Sequence, residues 1–138
     1  GLNENQVNHI IQQIKNFEEL KNIPKEQIKD LITFSNGSPG LYLDNLKNWL
    51  NISSSLGHNL EIKLKNQIEV LTLAQKITEK LNIEQQLWFI NFQQNSIWKK
   101  ENDSKIIKQL EELRKQLLHY VQPRLAWEVT LLEINFID

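Results

Sequence analysis

The sequence predicts an all-α fold, on three observations. Apolar residues recur at three- and four-residue steps along most of the chain, the period of one helix face. Residues that start and stop helices fall at the ends of those stripes. No alternating strand pattern competes, and Asn36-Gly37, a common hairpin signal, lies between two helical stripes rather than two β-branched runs. With 40% hydrophobic and 24% charged residues in 138, the chain has ordinary globular usage and enough apolar surface to bury a core.

The first stripe is Val7, Ile10, Ile11, Ile14 and Phe17, with Asn3 and Gln6 suited to its start. Pro24 fits the first turn of a second helix, whose stripe of Ile28, Leu31 and Ile32 stops at Asn36-Gly37, a pair able to take the left-handed conformation. Ser38 then offers an N-cap oxygen and Pro39 a preset φ, and Tyr42, Leu46, Trp49 and Leu50 form the third face. The small residues of Ser53-Ser54-Ser55-Leu56-Gly57-His58 predict a boundary or hinge.

Leu60, Leu64, Ile68, Leu71, Ala74, Ile77 or Thr78, and Leu81 keep helical period for about six turns. Asn82 with Gln85 three residues on opens a Trp-rich helix through Leu87, Ile90 and Trp98, which the charged stretch Lys99 to Asp103 interrupts. Ile106, Ile107, Leu110, Leu113, Leu117, Leu118 and Val121 then form a broad stripe opposed by Lys108, Glu111, Glu112 and Lys115. Pro123 disfavours helix at Gln122 and restarts it as the first helical residue. The last helix carries Leu125, Val129, Leu132 and Phe136 on one face and Trp127, Leu131 and Ile134 on another, leaving Arg124, Glu128 and Asn135 for water. Apolarity on two sides predicts burial against the rest of the domain or against a neighbouring chain.

Composition and motifs exclude several functions. Sixteen Lys+Arg against seventeen Asp+Glu give a formal charge of −1, and the basic pairs in Trp98-Lys99-Lys100 and Arg114-Lys115 are flanked by acids, so direct nucleic-acid binding has little support. The longest apolar run, Leu87 to Ile90, is far too short to cross a bilayer. Without cysteine there are no disulfides, thiolate metal sites or thiol nucleophiles. His9, His58 and His119 share no metal-binding spacing, and neither a G-x-S-x-G turn nor a G-x-x-x-x-G-K-[ST] loop occurs. The pairs Glu18-Glu19 and Glu111-Glu112 point about 100° apart on a helix and read as solvated charge. No catalytic residue, cofactor, metal or small-molecule substrate is therefore expected. Of the four Trp, Trp49 and Trp88 read as core, and Trp127 as either core or interface. The chain has no Met and opens Gly1-Leu2, which is expected of an excerpt from a longer protein.

Two segments carry a family resemblance. Phe34-Ser35-Asn36-Gly37-Ser38-Pro39-Gly40-Leu41-Tyr42-Leu43 resembles the helical-lid turn that holds the second nucleotide-sensing motif of AAA+ clamp loaders. Arg114-Lys115-Gln116-Leu117-Leu118-His119-Tyr120-Val121-Gln122-Pro123-Arg124-Leu125-Ala126-Trp127-Glu128-Val129, followed by Thr130-Leu131-Leu132-Glu133, resembles the closing helix pair of the same family. In order and spacing the two are similar to the C-terminal region of bacterial DNA polymerase III delta prime subunits, the second segment being the more specific. Residues 57 to 103 match no pattern of the family.

The resemblance implies that residues 1–54 end an AAA+ helical lid and residues 58–138 form a helical collar. It implies a cytoplasmic subunit of a DNA polymerase holoenzyme, a nucleotidyltransferase complex. Within it the collar joins a clamp-loader ring with gamma/tau and delta and meets DNA only through the assembled complex. ATP-binding relatives place an Arg after Gly-Ser-x in the sensing motif. Here Gly40 stands at that position, so the degenerate turn Gly37, Ser38, Pro39, Gly40 has no guanidinium for a phosphate and is left with helix capping. The residues expected at the subunit interface are Leu117, Leu118, Val121, Leu125, Trp127, Val129, Leu131, Leu132, Ile134 and Phe136. A gamma/tau or delta collar, or an all-helical adaptor unrelated to replication, would share the same stripes.

Overall fold

The computed structural model describes residues 3–6, 24–57 and 60–137. The stripe Val7 to Phe17, Glu18-Glu19, His9 and His58 lie outside the described residues. The start expected for the first stripe is present: Gln6 N–H donates to Asn3 Oδ1 at 2.8 Å and Asn3 N–H to Gln6 Oε1 at 3.1 Å, a reciprocal capping box. Six further helices follow: α1 (Lys25–Phe34), α2 (Pro39–Leu56), α3 (Gln67–Lys80), α4 (Ile83–Glu101), α5 (Ser104–Leu118) and α6 (Pro123–Phe136). No strand occurs among the described residues, and the fold is all-α.

Local chemistry sets most of the boundaries. After α1 the chain turns through Asn36 and Gly37 at φ 50° and 76°, a region open to Gly and tolerated by Asn. Ser38 Oγ then accepts from Leu41 N–H at 3.3 Å, with Pro39 as the first residue of α2. Asn82 and Gln85 close a second reciprocal box at the head of α4, at 2.8 and 2.9 Å. Asn102, at φ 50°, ends α4, and Asp103 caps α5 by accepting from Lys105 and Ile106 N–H.

Two sequence expectations are corrected. The serine stretch is no hinge up to Leu56: it is the last turn of α2, where Ser53 donates to Leu50 O at 3.1 Å and Ser54 and Ser55 to Asn51 O at 2.9 and 3.2 Å. Hydroxyls that return to their own helix satisfy themselves without breaking it, and Ile52 and Ser53 are buried, which holds the turn in place. The helix ends at Gly57, at φ 98°. Residues 60–64 are extended, not helical, and residues 65–66 bend into α3. Leu60 and Ile62 face inward with Glu61 and Lys63 outward, a two-residue alternation that also fits the leucine spacing. Asn66 caps α3 by accepting from Glu69 N–H at 2.8 Å, and the Glu69 carboxylate accepts from Lys65 N–H at 2.8 Å. The buried face of α3 is accordingly Val70, Ala74 and Ile77, while Ile68 is 76% exposed.

The helices pack α3 against α6, α6 against α5 and α5 against α4, while α1 and α2 lie across α4 and α2 also reaches α3. Buried side chains from Leu31 in α1 to Leu131 in α6 form one continuous apolar cluster. Phe34 meets Trp88 and Phe92 edge-on at 5.9 and 5.8 Å, and Trp88 stacks on Phe92 at 5.2 Å, so the end of α1 is tied to α4 by aromatic contact.

Candidate subunit interface

The α5–α6 hairpin divides its apolar residues between two surfaces. Leu113 and Leu117 on α5, and Ala126, Trp127 and Leu131 on α6, are buried. Trp127 tilts over Phe89 at 6.0 Å, and its indole N–H donates to Gln86 Oε1 at 3.0 Å. Gln86 in turn donates from Nε2 to Leu81 O at 3.1 Å, so this buried polar chain is satisfied. Trp127 is thereby a core residue. Leu117, Trp127 and Leu131, expected at an interface, have no surface to offer one. Two apolar faces on a helix identify what must leave water, not which face meets which neighbour.

The outer face is different. Leu118, Val121, Leu125, Val129 and Phe136 are exposed, Leu125 by 57%, and Leu132 and Ile134 are half-buried. Residues 125, 129, 132 and 136 follow helical spacing, so on α6 they form one stripe, with Leu118 and Val121 at its N-terminal end. Exposed apolar side chains at helical spacing leave this face of α6 without a partner in the chain itself. Arg124 and Glu128 lie beside it at 4.0 Å from one another, and Arg114 pairs with Glu111 on α5. The Arg114 guanidinium beside Glu111 holds its carboxyl below the usual carboxylate range.

The turn between the helices has an unusual residue. Val121 N–H donates back to Gln116 O at 3.1 Å, which closes the end of α5 with Tyr120 in the left-handed conformation at φ 60°. Glycine usually fills this position. Tyr120 is 97% exposed. Periodicity could not single it out, because it belongs to no stripe.

Asn135 was left for water by its sequence position and instead clamps the extended segment. It accepts from Leu64 N–H at 2.7 Å and donates to Ile62 O and Leu131 O, both at 2.9 Å. The extended segment 60–64 therefore lies against the inner side of α6, leaving the outer stripe free.

A cleft of about 390 Å³ lies between the start of α1, residues 60–63 and the end of α4. Lys100 lies 3.2 Å from the buried Asp30 and 3.5 Å from Glu26, Ser96 Oγ donates to Asp30 at 3.1 Å, and Lys63 pairs with Glu101. Burial pulls the Lys100 ammonium down, and its hydrogen bond to Asp30 and the charges of Asp30 and Glu26 more than offset it, so its pKa lies above the usual lysine value. These pairs tie α1 and the segment before α3 to the end of α4. Among the described residues no group of three or more His, Asp or Glu is placed to hold a metal, and no helix is long and apolar enough to cross a membrane.

At the turn before α2, Gly37, Ser38 and Pro39 act as helix end and cap, as above. A Cβ built on Gly40 meets no atom within 4 Å. Sterics therefore do not impose glycine there, and the missing guanidinium is a property of the sequence.

Fold and surface together define an all-α helical domain whose distinctive exposed chemistry is an apolar stripe suited to protein contact. A search of curated proteins and a search of solved structures each found no match. Residues 5–134 match a model of the cyanobacterial DNA polymerase III delta prime, C-terminal domain. The chain belongs to that family.

Proposed function

We propose that this domain is the oligomerisation collar of a clamp-loader delta prime subunit. It would hold the subunit beside gamma/tau and delta in the cytoplasmic ring that places the sliding clamp on primed DNA. The observation that carries the reading is the outer stripe Leu118, Val121, Leu125, Val129 and Phe136, solvent-facing in the chain alone although the other face of the helix pair is filled by core, with Leu132 half-buried between the two. Family membership supports delta prime over gamma/tau or delta. The turn at Gly37 to Gly40 supports it too, since Gly40 brings no charge to a nucleotide phosphate. In this reading residues 1–54 descend from the lid and residues 58–138 form the collar, with the break at Gly57. The shared core from Leu31 to Leu131 supports the two pieces acting as one body. DNA is met by the assembled ring, consistent with the near-neutral charge.

The test is assembly. Leu125→Glu and Val129→Glu place charges on the stripe without touching the core, so far-UV circular dichroism is expected to stay unchanged. Affinity for purified gamma/tau and delta is expected to fall about tenfold or more, the loss typical of a central contact. Undiminished assembly by both variants would overturn the reading.

A further inference from the structure

We propose that Asn36 is a site of spontaneous covalent modification, at which the amide nitrogen of Gly37 attacks the asparagine side chain and converts it to aspartyl and isoaspartyl forms. The reaction is internal to the turn between α1 and α2 and needs only water. Gly37 N, having given its proton to solvent base, bonds to Asn36 Cγ; the Cγ–Nδ2 bond breaks, ammonia leaves, and a cyclic imide closes. Water then opens the imide. Breaking the new N–Cγ bond leaves aspartate in an unchanged backbone, whereas breaking the original peptide bond leaves isoaspartate, with the chain routed through Cγ and one methylene longer. Either product carries a negative charge that asparagine lacks.

The turn leaves both reacting groups untied. Asn36 is exposed, so base and water reach it. Its neighbours are engaged: Asn36 N–H donates to Thr33 O at 3.1 Å and Ser38 N–H to Ser35 O at 3.0 Å. Among the described residues, the Gly37 N–H and the Asn36 carboxamide between them have no hydrogen-bond partner. Glycine has no Cβ to crowd the attack, and this is the single Asn-Gly pair in the sequence. Asn102, the other described asparagine at positive φ, precedes Asp103, whose side chain crowds the approach and whose carboxylate disfavours an amide anion. Asn95 precedes Ser96 inside α4, where backbone amides are held in the helix ladder. The two products differ in consequence. Buried Ser35, next to the site, accepts from Asn45 Nδ2 at 3.2 Å, and Asn45 Oδ1 accepts from the Trp88 indole at 2.9 Å. The added methylene of isoaspartate therefore falls beside a network that joins α1, α2 and α4, while aspartate adds charge alone.

The test incubates the purified protein at mildly alkaline pH, folded and in urea, and reads each asparagine by mass spectrometry of digests against synthetic peptides of both isomers. An exposed turn opens at little cost, so conversion of Asn36 in the folded protein is expected within about tenfold of the unfolded chain, and faster than at Asn95 or Asn102. Were global unfolding required, it would be slower by roughly a thousandfold or more. Conversion that slow, or faster conversion at Asn95 or Asn102, overturns the site. Asn36→Gly, which suits the left-handed position, is expected to abolish the early acidic species seen by ion exchange; persistence of that species in the variant overturns it equally. The purified isoaspartyl form is expected to melt about 2–4 °C below the parent, and Asn36→Asp to melt with the parent. Equal melting of the isoaspartyl form and Asn36→Asp would overturn the effect assigned to the added methylene.

Discussion

Trp49 and Trp127 are both fully buried, yet only Trp127 has a partner for its indole N–H among the described residues. The two substitutions to Phe should therefore differ. Trp127→Phe strands Gln86 Oε1 in the core as well as removing volume, and is expected to cost about 2–4 kcal/mol. Trp49→Phe loses volume but relieves an unpaired donor, so a smaller cost of about 1–2 kcal/mol is expected. Urea unfolding of the two variants, compared at equal m, checks the order. The sequence left Trp127 between core and interface because spacing assigns a residue to a face and is silent on what that face meets. Its burial is decided by Phe89 and Gln86, residues about forty positions away in the chain. Tyr120 was illegible for a different reason: left-handed geometry at a non-glycine residue is imposed by the path from α5 to α6, which local propensity argues against.

At the scale of elements, caps were the most legible feature. Asn3/Gln6, Ser38/Pro39 and Asn82/Gln85 each act where their residue types predict, since a cap is a contact within four residues. The start of α3 was misplaced because Leu60 and Leu64 satisfy a four-residue period and a two-residue alternation alike. Asn135, 71 residues after Leu64, settles the matter by bonding to that backbone. Between α1 and α4 the tie is Lys100 with Asp30. Its ammonium is half-exposed, so Lys100→Met is expected to cost about 1 kcal/mol at neutral pH, discounted for solvent screening. The folded pKa of Lys100 lies above the ordinary 10.5. The contribution is therefore fully present below the unfolded value and lost as pH rises through the folded one. The stability difference between the parent and Lys100→Met should stay level from neutral pH to about 10 and shrink above it. A difference that shrank already between pH 7 and 9 would refute this account.

The whole molecule buries one core, and that has a thermodynamic consequence. Residues on both sides of Gly57 share it, through Leu31, Tyr42 and Trp49 on one side and Phe89, Leu110 and Trp127 on the other. Melting followed by tryptophan fluorescence and by far-UV circular dichroism is expected to give coincident midpoints, as for a single cooperative unit. An early separate transition for α1 and α2 would contradict it. The boundary predicted from the serine-rich stretch could not reveal this, because small polar residues are equally at home in a linker and in a helix whose neighbours hold it. Sequence by itself determined the helical class, most of the caps and the stripes that must leave water, since each of these is fixed by contacts within a turn or two of the chain. Tertiary structure alone decided which face of α6 is core and which stays open, that residues 60–64 run extended, and that a tyrosine stands exposed in a strained turn. Those outcomes depend on side chains brought together from distant positions, and local periodicity contains no term for them.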